Sequence, residues 1–139
     1  VQCKTVEELV KNSEIICTTT PATSPVLPND KELLRGKCII AIGSYTPQMR
    51  EIPDAIWDLV DKVYIELPYA CEESGDLSQP LAGGRLKEEQ TVLMNEFLAS
   101  GVDAGADEGK TVYYKSVGMG LFDVCIAQKI LEMAKERLA

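Results

Sequence analysis

Four short apolar runs, each ending in small polar residues, most restrict the folds open to this chain of 139 residues. Ile15-Ile16-Cys17 leads into Thr18-Thr19-Thr20-Pro21, and Cys38 to Ile42 leads into Gly43-Ser44-Tyr45. Val63-Tyr64-Ile65 leads into Glu66-Leu67-Pro68, and Thr111 to Tyr114 leads into Lys115-Ser116-Val117-Gly118. Helix-like segments separate the runs. Strands that alternate with helices build a parallel sheet, and open parallel sheets bind ligands beyond the carboxyl ends of their strands. The polar clusters occupy those ends, where a ligand is expected. The fold class is therefore α/β, a partial doubly wound parallel sheet with helices on both faces.

The strands are expected at about 14–19, 37–42, 62–67 and 111–115. Thr5-Val6-Glu7-Glu8 forms a capping box that opens a first helix, to about Asn12. Pro21, Pro25 and Pro28 force a loop after the first strand. Asn29-Asp30 caps a short helix ending near Gly36. Pro53 suits the first turn of a helix from Asp54 to about Val60. The stretch from Ala70 to Arg85 reads as mainly loop, with Glu73 and Asp76 on a solvated turn. Val92, Leu93, Phe97 and Leu98 place a helix over Lys87 to Ser100. Gly101 to Lys110 reads as a surface loop, and a last helix covers 121–138, with Asp123 favourable in its first turn.

Charge and composition narrow the partners. A net charge of −8 with no basic stripe opposes binding to nucleic acid and to anionic membranes. A dinucleotide stays open, because backbone N–H groups and helix N-termini hold phosphates whatever the net charge. No apolar run reaches the roughly 18 residues of a membrane span. The five cysteines are scattered without paired spacing, which points to a reducing, cytoplasmic compartment with mostly buried thiols. The chain has no histidine, so no His-based acid–base catalysis or His-ligated metal is available, and no metal site is read. A complete dinucleotide-binding domain opens with a strand and a G-x-G-x-x-G turn, which this sequence lacks. A small flavodoxin-like or receiver-like domain needs a fifth strand and an acidic or phosphate-binding loop near the N-terminus; neither is read.

The blocks SEIICTTTPATSPVL (13–27), GKCIIAIGSYTPQMREI (36–52), ESGDL (73–77) and KTVYYKSVGMGLFDVCIAQKI (110–130), in this order, resemble the ornithine cyclodeaminase/mu-crystallin family. The resemblance implies a homodimeric parent that joins a substrate-binding domain to an NAD(P)-binding Rossmann-type domain. Residues 1–139 then correspond to the C-terminal part of the Rossmann domain, with 121–138 as its C-terminal helix. On this reading the chain is a fragment, inactive alone. The family's shared chemistry is hydride transfer between the nicotinamide and an amine or imine carbon. Cyclising members carry an acid–base aspartate where this chain has Tyr45. A phenol can donate a proton but is a poor base at neutral pH. An imine or amino-acid oxidoreductase is therefore expected, acting on a small amino acid or cyclic imine. An ornithine cyclodeaminase and a non-catalytic, crystallin-like nucleotide binder are the alternatives.

Roles follow by position. The resemblance implies that Thr18, Thr19 and Thr20 line the groove beside the cofactor's adenosine and ribose. Gly43 and Ser44 lie against the nicotinamide half, and Ser116, Val117 and Gly118 contact it from the last strand. Tyr45 faces the substrate as the candidate catalytic residue. Each also has a plain structural reading: a strand-end turn for the threonines, a tight turn for Gly43, a rim aromatic for Tyr45. Arg50 and Glu51 are expected to pair or to anchor their loop, and Glu66 to accept hydrogen bonds from loop N–H groups. The cofactor is NAD or NADP.

Overall fold

In the computed structural model the described residues are 2–101 and 109–138. They form one five-stranded, fully parallel sheet, flanked by short helices and followed by one long helix. The strands are β1 (Ile15–Thr18), β2 (Cys38–Ala41), β3 (Val63–Ile65), β4 (Thr91–Leu93) and β5 (Val112–Lys115). Their spatial order is β1-β2-β5-β3-β4, so the last strand to appear inserts between the second and third. That order differs from the flavodoxin-like 2-1-3-4-5.

The register sorts the sheet into two faces. Ile16, Ile39, Tyr113 and Val63 lie in one row, and Thr18, Ala41, Lys115 and Ile65 in the row nearest the carboxyl ends. This face is the core. Ile16, Ile39, Tyr113 and Val63 join Val10 of α1 (Val6–Lys11), Leu34 of α2 (Lys31–Leu34) and Leu77 of α4 (Gly75–Ala82), with Ile52, Ile56 and Trp57 from the segment between β2 and β3. On the other face Tyr64 is buried against Phe97 in an edge-on ring contact, while Ile15 and Cys17 are exposed and Cys38, Ile40 and Val112 half-buried.

Several elements depart from the sequence reading. The segment predicted as a helix over Lys87–Ser100 divides into a 3-10 turn (Glu88–Gln90), the fifth strand β4 and α5 (Met94–Ala99). Thr91-Val92-Leu93 pairs with Val63-Tyr64-Ile65, and sheet pairing outweighs the helical spacing of its apolar residues. Ala70 to Arg85 is not mainly loop: it holds α3 (Ala70–Glu73) and α4, and the Ser74 hydroxyl caps α4 by accepting the Asp76 N–H. Asp54–Asp58 is a 3-10 turn rather than an α-helix to Val60. Cys17 and Cys125 are exposed. Most of the Gly101–Lys110 loop lies outside the described residues. At α1 the capping box is present in altered form: Thr5 accepts the Glu8 N–H at 3.1 Å, while the Glu8 carboxylate reaches back to the Lys4 N–H at 2.9 Å.

The last helix, α6 (Gly120–Leu138), has Asp123 in its first turn, as expected. Its apolar residues are not core, since Leu121, Phe122, Val124, Ile126, Ile130 and Leu131 are all exposed. No helix among the described residues is long and apolar enough to cross a membrane.

Candidate functional site

All five strands point the same way, so their carboxyl ends gather along one edge of the sheet. Three buried acids fix the loops there. The first is Glu51. The loops after β1 and β2 run together, the Arg50 N–H donating to the Ala22 carbonyl and the Val26 N–H to the Glu51 carbonyl, both at 2.8 Å. This turns the fully buried Glu51 side chain inward beneath both strand ends. Its Oε2 accepts from the Thr18 hydroxyl and the Gly43 N–H, each at 2.8 Å. Its Oε1 accepts from the Thr20 N–H at 2.6 Å and the Thr20 hydroxyl at 2.9 Å. Four donors on one carboxylate satisfy groups that would otherwise be costly to bury.

Glu66, at the end of β3, does the same for the end of β5. Its Oε1 accepts from the Ser116 hydroxyl at 2.9 Å and from the Val117 and Gly118 N–H groups at 2.5 and 3.0 Å. This is the loop-amide role the sequence assigned to it. Gly118 has φ +86°, a left-handed conformation that favours glycine.

The third acid is Asp76, on the first turn of α4. The sequence reading put it on a solvated turn; it is fully buried. Its Oδ1 accepts the Glu51 and Ile52 N–H groups at 2.7 and 3.0 Å, and its Oδ2 lies 3.5 Å from the equally buried Lys115 Nζ. Burial pushes the Asp76 carboxyl above the ordinary aspartate value, opposed by the two amides and by Lys115. Burial pushes the Lys115 ammonium below the ordinary lysine value, opposed by Asp76, Glu51 and Glu66. Beside this pair the Ser44 hydroxyl donates to the Met49 carbonyl at 2.7 Å and shares a hydrogen bond with the Ser74 hydroxyl at 2.8 Å.

The candidate residues therefore fall into two groups. Thr18, Ser44 and Ser116 are buried, and their hydroxyls bind the frame. Thr20 is half-buried and tied to Glu51, and the amides of Val117 and Gly118 are tied to Glu66. Gly43 packs so tightly that a Cβ there would lie 2.2 Å from the Thr20 carbonyl oxygen. Its lack of a side chain is needed by the neighbouring strand end. Thr19, Tyr45 and Gly118 form the exposed rim, with Tyr45 52% exposed. Sequence reasoning missed Lys115 and Asp76. The available signal was alternation: Tyr113 faces the core, so Lys115, two residues on, must face it too.

The sequence pattern of the Ornithine cyclodeaminase/mu-crystallin family matches residues 1–137. The chain is 37% identical over 133 residues to Delta(1)-pyrroline-2-carboxylate reductase of Bacillus cereus, covering 94% of this chain and 40% of that protein. It is 28% identical over 130 residues to mouse ketimine reductase mu-crystallin, covering 94% and 39%. Among solved structures, Delta(1)-pyrroline-2-carboxylate reductase of Thermococcus litoralis, in complex with NADH and L-proline, superposes with a TM-score of 0.78 at 23% identity, covering 97% of this chain and 42% of that one. The chain thus spans about two fifths of the length of these proteins.

Proposed function

The chain belongs to the ornithine cyclodeaminase/mu-crystallin family, and from that premise we propose that it is the nicotinamide-side part of an NAD(P)-dependent reductase that converts a small imine into an amino acid. One observation carries the reading. The Thr18–Thr20, Gly43–Tyr45 and Ser116–Gly118 tips stand at the same end of one parallel sheet, where nucleotides lie in open α/β folds. The names of the relatives, which describe imine reduction, support the same chemistry.

The residues present fit one half of a dinucleotide. The rim offers the exposed side chains of Thr19 and Tyr45 and the exposed surface of Gly118, whose N–H is held by Glu66, while the sequence holds no G-x-G-x-x-G turn for the pyrophosphate. A bound reduced nicotinamide supplies the hydride. The chain's own part is to hold Thr18–Thr20 and Gly43 through Glu51, to hold Ser116–Gly118 through Glu66, and to present the Tyr45 hydroxyl as donor of the proton that an imine nitrogen takes up. Tyr45 in place of an aspartate disfavours cyclodeamination and equally suits a binder without turnover. We place the parent in the cytoplasm as a homodimer, a reading supported by five free cysteines and by the exposed apolar face of α6.

The intact protein is expected to oxidise NADH or NADPH when given Delta(1)-pyrroline-2-carboxylate, with proline as product; absorbance of the reduced nucleotide measures it. Tyr45→Phe is expected to lower kcat by about 100-fold while the nucleotide KM changes less than about threefold. Tight nucleotide binding with no turnover over a panel of imines would replace this reading with the non-catalytic one. Absence of nucleotide binding would remove both.

A further inference from the structure

We propose that Lys115 is a positioning residue, whose buried ammonium is the counter-charge to Asp76, the acid that grips the Glu51 backbone, and so holds the ends of β1 and β2 in the geometry a nucleotide requires. The inference rests on the nucleotide-binding reading above. Lys115 is the one buried cation among the described residues, against three buried acids. It stands in the last row of the core face between Ala41 and Ile65, where the small Ala41 leaves room for it. Packing gives no reason for a charge there, because apolar residues often replace buried ion pairs without loss of stability. Glu51 accepts the hydrogen bonds described above for Thr18, Thr20 and Gly43, Glu66 accepts those for Ser116, Val117 and Gly118, and Asp76 holds Glu51 by accepting its N–H. Asp76 Oδ1 accepts both amides, while its Oδ2 accepts no hydrogen bond from the described residues and lies 3.5 Å from Lys115 Nζ, so a proton on Oδ2 leaves both amide bonds in place. At 3.5 Å, Lys115 and Asp76 act on each other chiefly as charges.

The acids whose charge acts on Lys115 are Asp76 from α4, at 3.5 Å, and, less strongly, Glu51 from the loop after β2 and Glu66 from the end of β3. Tyr113, two residues back on the same face, is kept neutral by burial. Without the ammonium, Asp76 is left buried with its nearest counter-charge gone, and burial drives it to bind a proton. Loss of the lysine therefore writes a new pH dependence into nucleotide binding.

The experiment is titration of the intact protein with NADH and NADPH between about pH 6 and pH 8, read by nucleotide fluorescence, with circular dichroism as the check on folding. Wild-type affinity is expected to vary less than about threefold across that range. Lys115→Met is expected to bind about tenfold or more weakly at the alkaline end and to regain most of that affinity at the acid end, where a proton takes the place of the ammonium. Lys115→Met combined with Asp76→Asn removes one charge of each sign. It is expected to bind within about threefold of wild type with the pH dependence gone. A Lys115→Met protein with wild-type affinity and a flat profile overturns the proposal while leaving the nucleotide reading intact. So does a charge-balanced double variant that fails to fold or to bind. Wild-type protein that binds neither nucleotide overturns the reading on which the proposal rests.

Discussion

Replacing Glu51 with alanine is expected to cost about 4 kcal/mol or more, a large share of the roughly 5–15 kcal/mol that holds an ordinary domain together. The estimate follows from the four donors on this one carboxylate: the Thr18 hydroxyl, the Gly43 N–H, the Thr20 N–H and the Thr20 hydroxyl. An orphaned buried donor costs about 1–3 kcal/mol, and the hydroxyls can turn to other partners while the amides cannot. Glu51→Gln gives the matching intermediate. It keeps the volume and one accepting oxygen, so one amide, of Thr20 or of Gly43, faces an NH2 group instead; the expected loss is about 2 kcal/mol. Denaturant midpoints of the intact protein measure both. An alanine variant within about 1 kcal/mol of wild type would show that the strand ends hold themselves without Glu51.

Gly43→Ala is expected to be nearly as severe, about 3 kcal/mol, for a different reason. The new Cβ would lie 2.2 Å from the Thr20 carbonyl oxygen, 2.3 Å from the Thr20 nitrogen and 2.7 Å from Glu51 Oε1. Two of these are backbone atoms, so relief requires the ends of β1 and β2 to separate. That separation stretches the bonds both make to Glu51, and nucleotide affinity should fall along with stability. Gly120 is the control. A Cβ there meets nothing within 4 Å, and Gly120→Ala should leave the denaturation midpoint unchanged. Equal effects at the two glycines would remove the steric explanation.

The pattern of apolar runs and turn residues was enough to place four strands, their shared direction and the ligand-side edge. Such runs have few alternatives once prolines and glycines bound them. β4 was hidden because Thr91-Val92-Leu93 lies next to Met94–Ala99, and the joined apolar spacing imitates one longer helix. Only pairing with Val63–Ile65, a contact made across the sequence, separates the two. The site was legible in its polar tips and in Glu66. Asp76 was not, since a Ser-Gly-Asp turn reads as solvated until the loop of 47–52 is known to cover it: Gly75 packs so closely that a Cβ there would lie 2.2 Å from the Met49 carbonyl oxygen. Nor did the sequence disclose that most of the threonine and serine hydroxyls are spent on the frame, leaving Thr19, Tyr45 and Gly118 as the exposed rim.

The long terminal helix has a mechanical side. Nineteen residues extend about 28 Å, and none of its described side chains from Gly120 to Arg137 is buried against the sheet. Its root is Gly118, the same residue whose amide Glu66 grips. A body that clasped the distal turns would therefore hold a stiff lever rooted beside Ser116–Gly118, and a small tilt far away would bear on those residues.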